Sequence, residues 1–486
     1  MTTLTASDVR SIAALDATGQ AELVRTGRLT ATELVMAAIE RIDALNPTLN
    51  AVITTAYEQA LQQATRARGP FAGVPYLLKD LCAEAAGMRL CEGSAFLKDN
   101  VSTLDQELVT RLKASGLVML GKTNTPEFGV APTTEPRLSG ATANPWDVRH
   151  TVGGSSGGAA AAVASGMVPM AHGNDAGGSI RIPASCTALF GLRPTRARNP
   201  LGPIYGDAFG GWVSEHALTR SVRDSAALLD ATSGPALGDP YVAPAPERPF
   251  LDEVGRPPGR LRIAFTRKAA EGRPVHSDCL AAVDRAVDLL TELGHDLVER
   301  DLTELTPEVG SAIGRGYGAS LDWALRYWIR ELGREPAVDE LEPLTRLYWE
   351  RSKAVSGGEY LMAVTTIQAF ARRVAQAFTE FDAWLSPTLA EPPPRLGELV
   401  ASDADPTAAE QRGASFVAFP LVVANLTGAP AMSLPLHWNN AGLPIGVHVM
   451  SRYGDEATLF RLAAQLEAAR PWADRWPSVS TKELSR

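Results

Sequence analysis

Three serines stand in the glycine-rich turns of one stretch, Gly153 to Pro183, which reads GGSSGGAAAAVASGMVPMAHGNDAGGSIRIP and carries a fourth, Ser165, between them. Ser155 and Ser156 occupy its first turn and Ser179 its second. Glycine leaves backbone amides uncovered and lets the main chain approach a ligand closely. A serine hydroxyl becomes a nucleophile once a neighbouring group takes its proton. Together these residue types point to covalent acyl chemistry with an oxyanion hole made of backbone amides. A plain tight turn is the competing reading of Gly177-Gly178-Ser179. The upstream serine turn weighs against it, because two glycine-rich turns at the ends of one short helix of small residues can converge on a single site.

Such chemistry needs a base. Lys79 ends the apolar run Gly73-Val-Pro-Tyr-Leu-Leu-Lys79. Burial there would lower its pKa and let the neutral amine accept a proton. A lysine that snorkels to the surface is the commoner outcome, and the residues alone leave the two level. None of the seven histidines sits in a local setting that marks it as the base. Two motif matches mislead. Gly116-Leu-Val-Met-Leu-Gly121-Lys122-Thr123 fits the P-loop pattern, yet its variable residues read as a buried strand, and Pro126 discourages a helix starting at Lys122. Gly153-Gly-Ser155-Ser-Gly157 fits a nucleophile elbow, which also requires a strand before it and a histidine base after it.

The elements that must position these groups alternate between strand and helix. Thr30-Ala-Thr-Glu33 is a capping box that opens a helix, and Pro47 is expected to stop it. Val74–Leu78, Leu117–Leu120 and Leu189–Leu192 read as buried strands, with a helix over Asp105–Ser115 between them. The proline-rich stretch from Gly234 to Gly259 reads as a surface connection. Beyond it come a strand at Leu261–Phe265, a helix over Asp278–Leu293 and a strand near Asp296–Val298. Residues 312–380 read as helical and carry Tyr317, Trp323, Tyr327, Trp328, Tyr348 and Trp349. These aromatics are expected mainly as core, with some lining a substrate funnel. Further strands are expected after Trp384, at Ala429–Leu436 and at Ile445–Val449. The alternation indicates an α/β layered fold. Three segments follow: 1–70, helices packed on the core; 71–235, the core that carries the reactive groups; and 236–486, linker, helical pocket region and remaining core strands.

Composition narrows the partners. The chain has 486 residues, and its net charge of −9 argues against nucleic acid, since phosphate binding needs a basic surface. The four cysteines are scattered without C-x-x-C spacing, which fits a reducing, cytoplasmic setting and gives no zinc site. The N-terminal residues lack the pattern of a secretory signal. The run Ala159–Ala171 is too short and too interrupted by Gly166 and Pro169 to span a bilayer.

In order along the chain, GVPYLLKD, GKTNTPEFG, ANPW, VGGSSGGAAAAVASG, GNDAGGSIRIPAS and GLRPT resemble the amidase signature family. The resemblance covers nearly the whole chain, including Asn425–Pro435 and Gly442–Gly446. It implies a single large α/β domain, with a mixed sheet covered by helices on both faces. It implies a Ser–cis-Ser–Lys triad in which Lys79 is the base, Ser155 the bridging cis-serine and Ser179 the nucleophile. The amides of Ala176, Gly177, Gly178 and Ser179 would form the oxyanion hole, with Ser156, Arg181 and Asp175 in support. Many members carry Thr or Ile where this chain has Ala176, but only the backbone N–H is needed there. No cofactor or metal is implied.

The implied activity is hydrolysis of small linear, aryl or cyclic amides, and of carbamates (urethanes), through an acyl-enzyme. Within the family, the runs GPFAGVPYLLKDL and VPMAHGNDAGGSIRIPAS most resemble amidases that open a nylon-oligomer ring, the 6-aminohexanoate-cyclic-dimer hydrolases. The alternative is the amidase-type subunit of a tRNA-dependent amidotransferase. Its glutamine-binding R-[RI]-[ML]-L-G-T run is missing from the corresponding Thr345–Gly357. A non-catalytic amide-binding protein is disfavoured by the intact Lys79, Ser155 and Ser179. A homodimer is compatible with the resemblance.

Overall fold

Neighbouring residues on the early strands are sorted to opposite sides of one sheet. Leu77, Val118, Leu120, Ala171 and Leu218 pack into one buried cluster. Tyr76, Leu78, Met119, Met170 and Ala217 pack into another. This is the period-two alternation of a sheet buried on both faces. In the computed structural model, which describes residues 5–269, 272–418 and 421–483, the strands are β1 (Val52–Thr55), β2 (Pro75–Lys79), β3 (Val118–Thr123), β4 (Ala143–Asn144), β5 (Asp147–Thr151), β6 (Met170–Asp175), β7 (Phe190–Arg193), β8 (Ser214–Thr219), β9 (Arg262–Phe265), β10 (Asp296–Glu299), β11 (Ala383–Pro387), β12 (Ala431–Trp438) and β13 (Pro444–Ser451). Eleven of these form a mixed sheet in the order β1-β3-β2-β6-β8-β7-β12-β13-β11-β9-β10, and β4 and β5 pair as a small hairpin. One sheet drawing strands from across the chain makes a single α/β domain.

The expected strands and helices are present, with shifts of a few residues at their ends. Two expectations fail near the N-terminus. Pro47 does not stop its helix, which runs Ala31–Leu49 and ends at Asn50 in the left-handed region, φ 49°. A proline this close to the end costs little, because one amide is removed while the last carbonyls stay in place. The turn is instead built by Asn46, whose Oδ1 accepts the amides of Ala51 and Val52, both at 2.8 Å. That turn delivers β1, a strand hidden in a stretch that reads as helical. β1 pairs antiparallel with β3 at the sheet edge.

The P-loop lookalike is strand. Val118–Thr123 is fully buried in β3, and Lys122 Nζ donates to the carbonyl of Ala83. From Gly234 to Gly259 the chain makes only the short turn Phe250–Glu253. Among the described residues no helix is long and apolar enough to cross a membrane.

The helix Gly157–Ser165 is buried along its whole length. Its small side chains let it press against the backbone next to β3. A Cβ on Gly158 would lie 2.4 Å from the amide nitrogen of Asn124 and 2.6 Å from the carbonyl oxygen of Ala51. This close seat fixes the turn Gly153–Ser156 above the ends of β2 and β6.

Candidate active site

Lys79 is the last residue of β2 and has no exposed surface. Its Nζ lies 2.6 Å from Ser155 Oγ and 2.6 Å from Asn174 Oδ1 on the adjacent β6. Both partners are neutral. An ammonium buried without a paired carboxylate is disfavoured, and burial pushes the Lys79 pKa from 10.5 down to about 7. The choice between a snorkelling and a buried lysine thus falls to burial.

Ser155 is 1% exposed and follows a cis Gly154–Ser155 peptide bond. Glycine is required before it, because a Cβ on Gly154 would meet the backbone of Thr133 at 2.6–2.7 Å. Ser156 ties the two turns together: its amide donates to the Ser179 carbonyl at 3.2 Å, and its hydroxyl donates to the Asn174 carbonyl at 3.3 Å. Ser179 sits just ahead of the helix Arg181–Thr187 and is partly exposed. No hydrogen bond holds its hydroxyl among the described residues. None of the seven histidines hydrogen-bonds Ser155 or Ser179 among the described residues, so the histidine-based elbow has no base here.

Asp175 braces the second turn from inside. Its carboxylate accepts the amides of Gly178 at 2.7 Å and Ile180 at 3.2 Å, and a two-pronged contact from Arg181, both prongs at 2.9 Å. Burial alone would raise its pKa. The charge and hydrogen bonds of Arg181, together with the Asn425 amide, more than offset this and hold the carboxyl well below the usual carboxylate range. Arg181 in turn donates to the Leu421 carbonyl at 2.8 Å and to Asn425 Oδ1 at 2.7 Å, and its Nη1 lies 2.9 Å from His448 Nε2. A buried pair this well saturated fixes geometry, and removing one partner typically costs about 3–5 kcal/mol.

The brace also changes the expected oxyanion hole. The Gly178 amide is taken by Asp175 Oδ1, and Gly178 does not line the cavity. Ala176, Gly177 and Ser179 do line it, and among the described residues their amides carry no such bond. Of the four amides expected as oxyanion donors, that of Gly178 is thus already engaged.

Ser155, Ser179 and Asn174 lie at the wall of a cavity of about 760 Å³. Its other walls are mostly apolar, with Phe128, Phe209, Trp212, Tyr317 and Tyr348 among them. Tyr317 stands edge-on to both Phe209 and Tyr348. The aromatic set of the helical region thus divides. Tyr317 and Tyr348 face the cavity, Trp328 is core, and Trp323 is 38% exposed. The helix Pro307–Leu332 presents Gly310, Gly314 and Gly318, spaced one turn apart, to the same space. At the rim Arg351 and Glu410 pair at 2.8 Å.

A sequence model of the family described as Amidase matches residues 33–460. The chain belongs to the amidase signature family. The 6-aminohexanoate-cyclic-dimer hydrolase of Paenarthrobacter ureafaciens is 39% identical to this amidase over 96% of both chains. A solved structure of 6-aminohexanoate cyclic dimer hydrolase complexed with substrate superposes with a TM-score of 0.92 at 37% identity, covering 96% of this chain and 99% of that one. A bacterial aryl acylamidase of the same family superposes at 0.86, with 26% identity over 94% and 97% of the two chains. The amidase is therefore an amide-bond hydrolase acting on a small-molecule amide, and the reading as an amidotransferase component is set aside.

Sequence reasoning missed several residues that the amidase places around its serines. Asn174 lies within the GNDAGGSIRIPAS run and His172 just ahead of it, and alternation along β6 puts both on one face. Asn425 was legible only as an amide inside the apolar run Val422-Val-Ala-Asn425-Leu. Glu215 and His448 carried no local signal, since strand pairing alone brings them in.

Proposed function

We propose that the amidase cleaves its substrate through an acyl-enzyme on Ser179, with Ser155 as proton relay and Lys79 as base. The observation that carries this reading is the 2.6 Å contact between a fully buried lysine and Ser155, at a cavity that Ser179 shares. Neutral Lys79 takes the Ser155 proton as Ser155 takes that of Ser179, and Ser179 Oγ adds to the carbonyl carbon. The amides of Ala176, Gly177 and Ser179 receive the oxyanion, where one donor is typically worth about 3–4 kcal/mol. The proton returns through Ser155 to the departing nitrogen, and water then releases the acid. Carbamates undergo the same attack. The four cysteines are free thiols, which suits the cytoplasmic setting included in this reading.

The large apolar cavity favours bulky, uncharged substrates: anilides, cyclic amides and aryl carbamates. Each methylene that enters such a cavity contributes about 0.8 kcal/mol, or about fourfold in kcat/KM. A panel of short aliphatic amides, anilides, cyclic amides and carbamates tests this. The bulky members are expected to lead the shortest aliphatic amides by at least about tenfold. Equal rates across the panel, or a lead for the shortest amides, would contradict the assignment of the cavity as the substrate site.

A further inference from the structure

Behind Lys79 lies a buried polar group that the proton relay does not use. Glu215 on β8 is the direct cross-strand partner of Asn174 on β6, the residue that holds Lys79 Nζ. Directly opposed side chains on one sheet face stand about 5 Å apart at Cβ. His172, two residues before Asn174, accepts the Lys79 backbone N–H at Nδ1, 3.4 Å away. That bond assigns the ring proton to Nε2. Nε2 faces Glu215 Oε1 at 3.6 Å, and both side chains are fully buried. The distance is too long for a direct hydrogen bond, and neither atom has another partner among the described residues. The second carboxylate oxygen accepts Gln106 Nε2 at 2.7 Å.

A buried carboxylate is costly unless a positive charge answers it, and at this depth solvent ions screen it little. The groups around Lys79 are Cys82 in the following turn, Asp175 and His172 on β6, Glu215 on β8, and Glu92. Those around Glu215 are His172, Gln106, Tyr76 on β2, Cys82 and Lys79. Asp175 is answered by Arg181. Burial pushes Glu92 up to about 8, so it is mostly protonated near neutral pH, and burial also holds the Cys82 thiol neutral. Glu215 is left as the acidic side chain of this cluster without an ion-paired Lys or Arg among the described residues.

We propose that Glu215, together with His172, is a positioning residue for Lys79: its buried negative charge keeps the lysine basic enough to take the Ser155 proton. This rests on the reading of Lys79 as the base. A general base works best when its pKa lies near the operating pH, and burial with nothing to oppose it would leave this lysine too weak. The neutral amine is the active form, so activity falls as pH drops through the lysine's pKa. Removing the Glu215 charge lowers that pKa and carries the acid limb to lower pH.

The test is kcat/KM for an anilide between about pH 5 and 9, with melting temperatures recorded alongside. Glu215→Gln is expected to move the acid limb down by about half to one pH unit and to lower the plateau about three- to tenfold. Glu215→Asp, which keeps the charge, and Tyr76→Phe, which alters the same cluster without changing charge, are expected to keep the wild-type limb. A Glu215→Gln limb that coincides with wild type overturns the proposal, as does an equal shift in Tyr76→Phe. Phosphonate labelling of Ser179 followed against pH reads the same limb on whatever fraction of a variant folds. Lys79→Met separates the two ideas. If it retains amide turnover, the base assignment itself fails, whatever Glu215→Gln does.

Discussion

Ser179→Ala lowers amide turnover by a factor on the order of 10⁴ to 10⁶ and leaves the fold unchanged. On the proposed mechanism the loss is large because the Ser179 hydroxyl is the atom that forms the acyl-enzyme, and Lys79 and Ser155 have nothing to activate without it. What survives is binding and the oxyanion amides, which alanine retains. The fold survives because the Ser179 hydroxyl holds no hydrogen bond among the described residues and the side chain is partly exposed. The contacts that shape its turn come from Asp175, Arg181 and the Ser156 amide. Anilide hydrolysis and thermal melting check both halves. Wild-type turnover in the variant would place the nucleophile elsewhere.

Lys79→Met has the second largest effect, a loss on the order of 10² to 10⁴ in kcat/KM, with no loss of stability. In the wild type, kcat/KM rises with pH through about 7, where burial has placed the lysine. Between about 7 and its ordinary value of 10.5 the unfolded chain carries a proton on Lys79 that the folded chain does not. Folding therefore releases a proton, and the lysine's contribution to stability rises with pH across that window. Below it, the folded site must hold a buried ammonium. Methionine has similar length and no charge to desolvate, so the variant melts no lower than wild type near neutral pH. A stable, inactive Lys79→Met is the expected outcome. A large fall in melting temperature would assign the lysine a structural role instead.

Much of the site was legible because the chemistry is concentrated in a few contiguous stretches. Ser155, Ser156, Asp175, Ser179 and Arg181 fall within one 31-residue segment whose glycines announce a close backbone approach. The strands β2 and β3 were legible from their apolar runs and flanking turns. Lys79 was not decidable from the residues alone, because snorkelling and burial look the same until β6 supplies Asn174 as a neighbour. The Gly178 amide was misjudged for a related reason. A glycine amide beside a serine reads as a free donor unless one knows that the Asp175 side chain folds back onto it. Pro47 and β1 failed where a tertiary contact, the Asn46 turn, overrides local propensity. Glu215 and His448 lay beyond reach, since they arrive through strand pairing between distant parts of the chain. The relatives at 39% identity supply the reaction class.

The division of labour between the two serines is the central claim, and one measurement addresses it most directly. The purified amidase is treated with a fluorophosphonate, digested, and the modified residue located by peptide mass spectrometry. Ser179 is expected to carry the adduct, in a reaction that Lys79→Met slows sharply. An adduct on Ser155, with Ser179 unmodified, would contradict the assignment and give the nucleophile's role to the serine nearest the lysine.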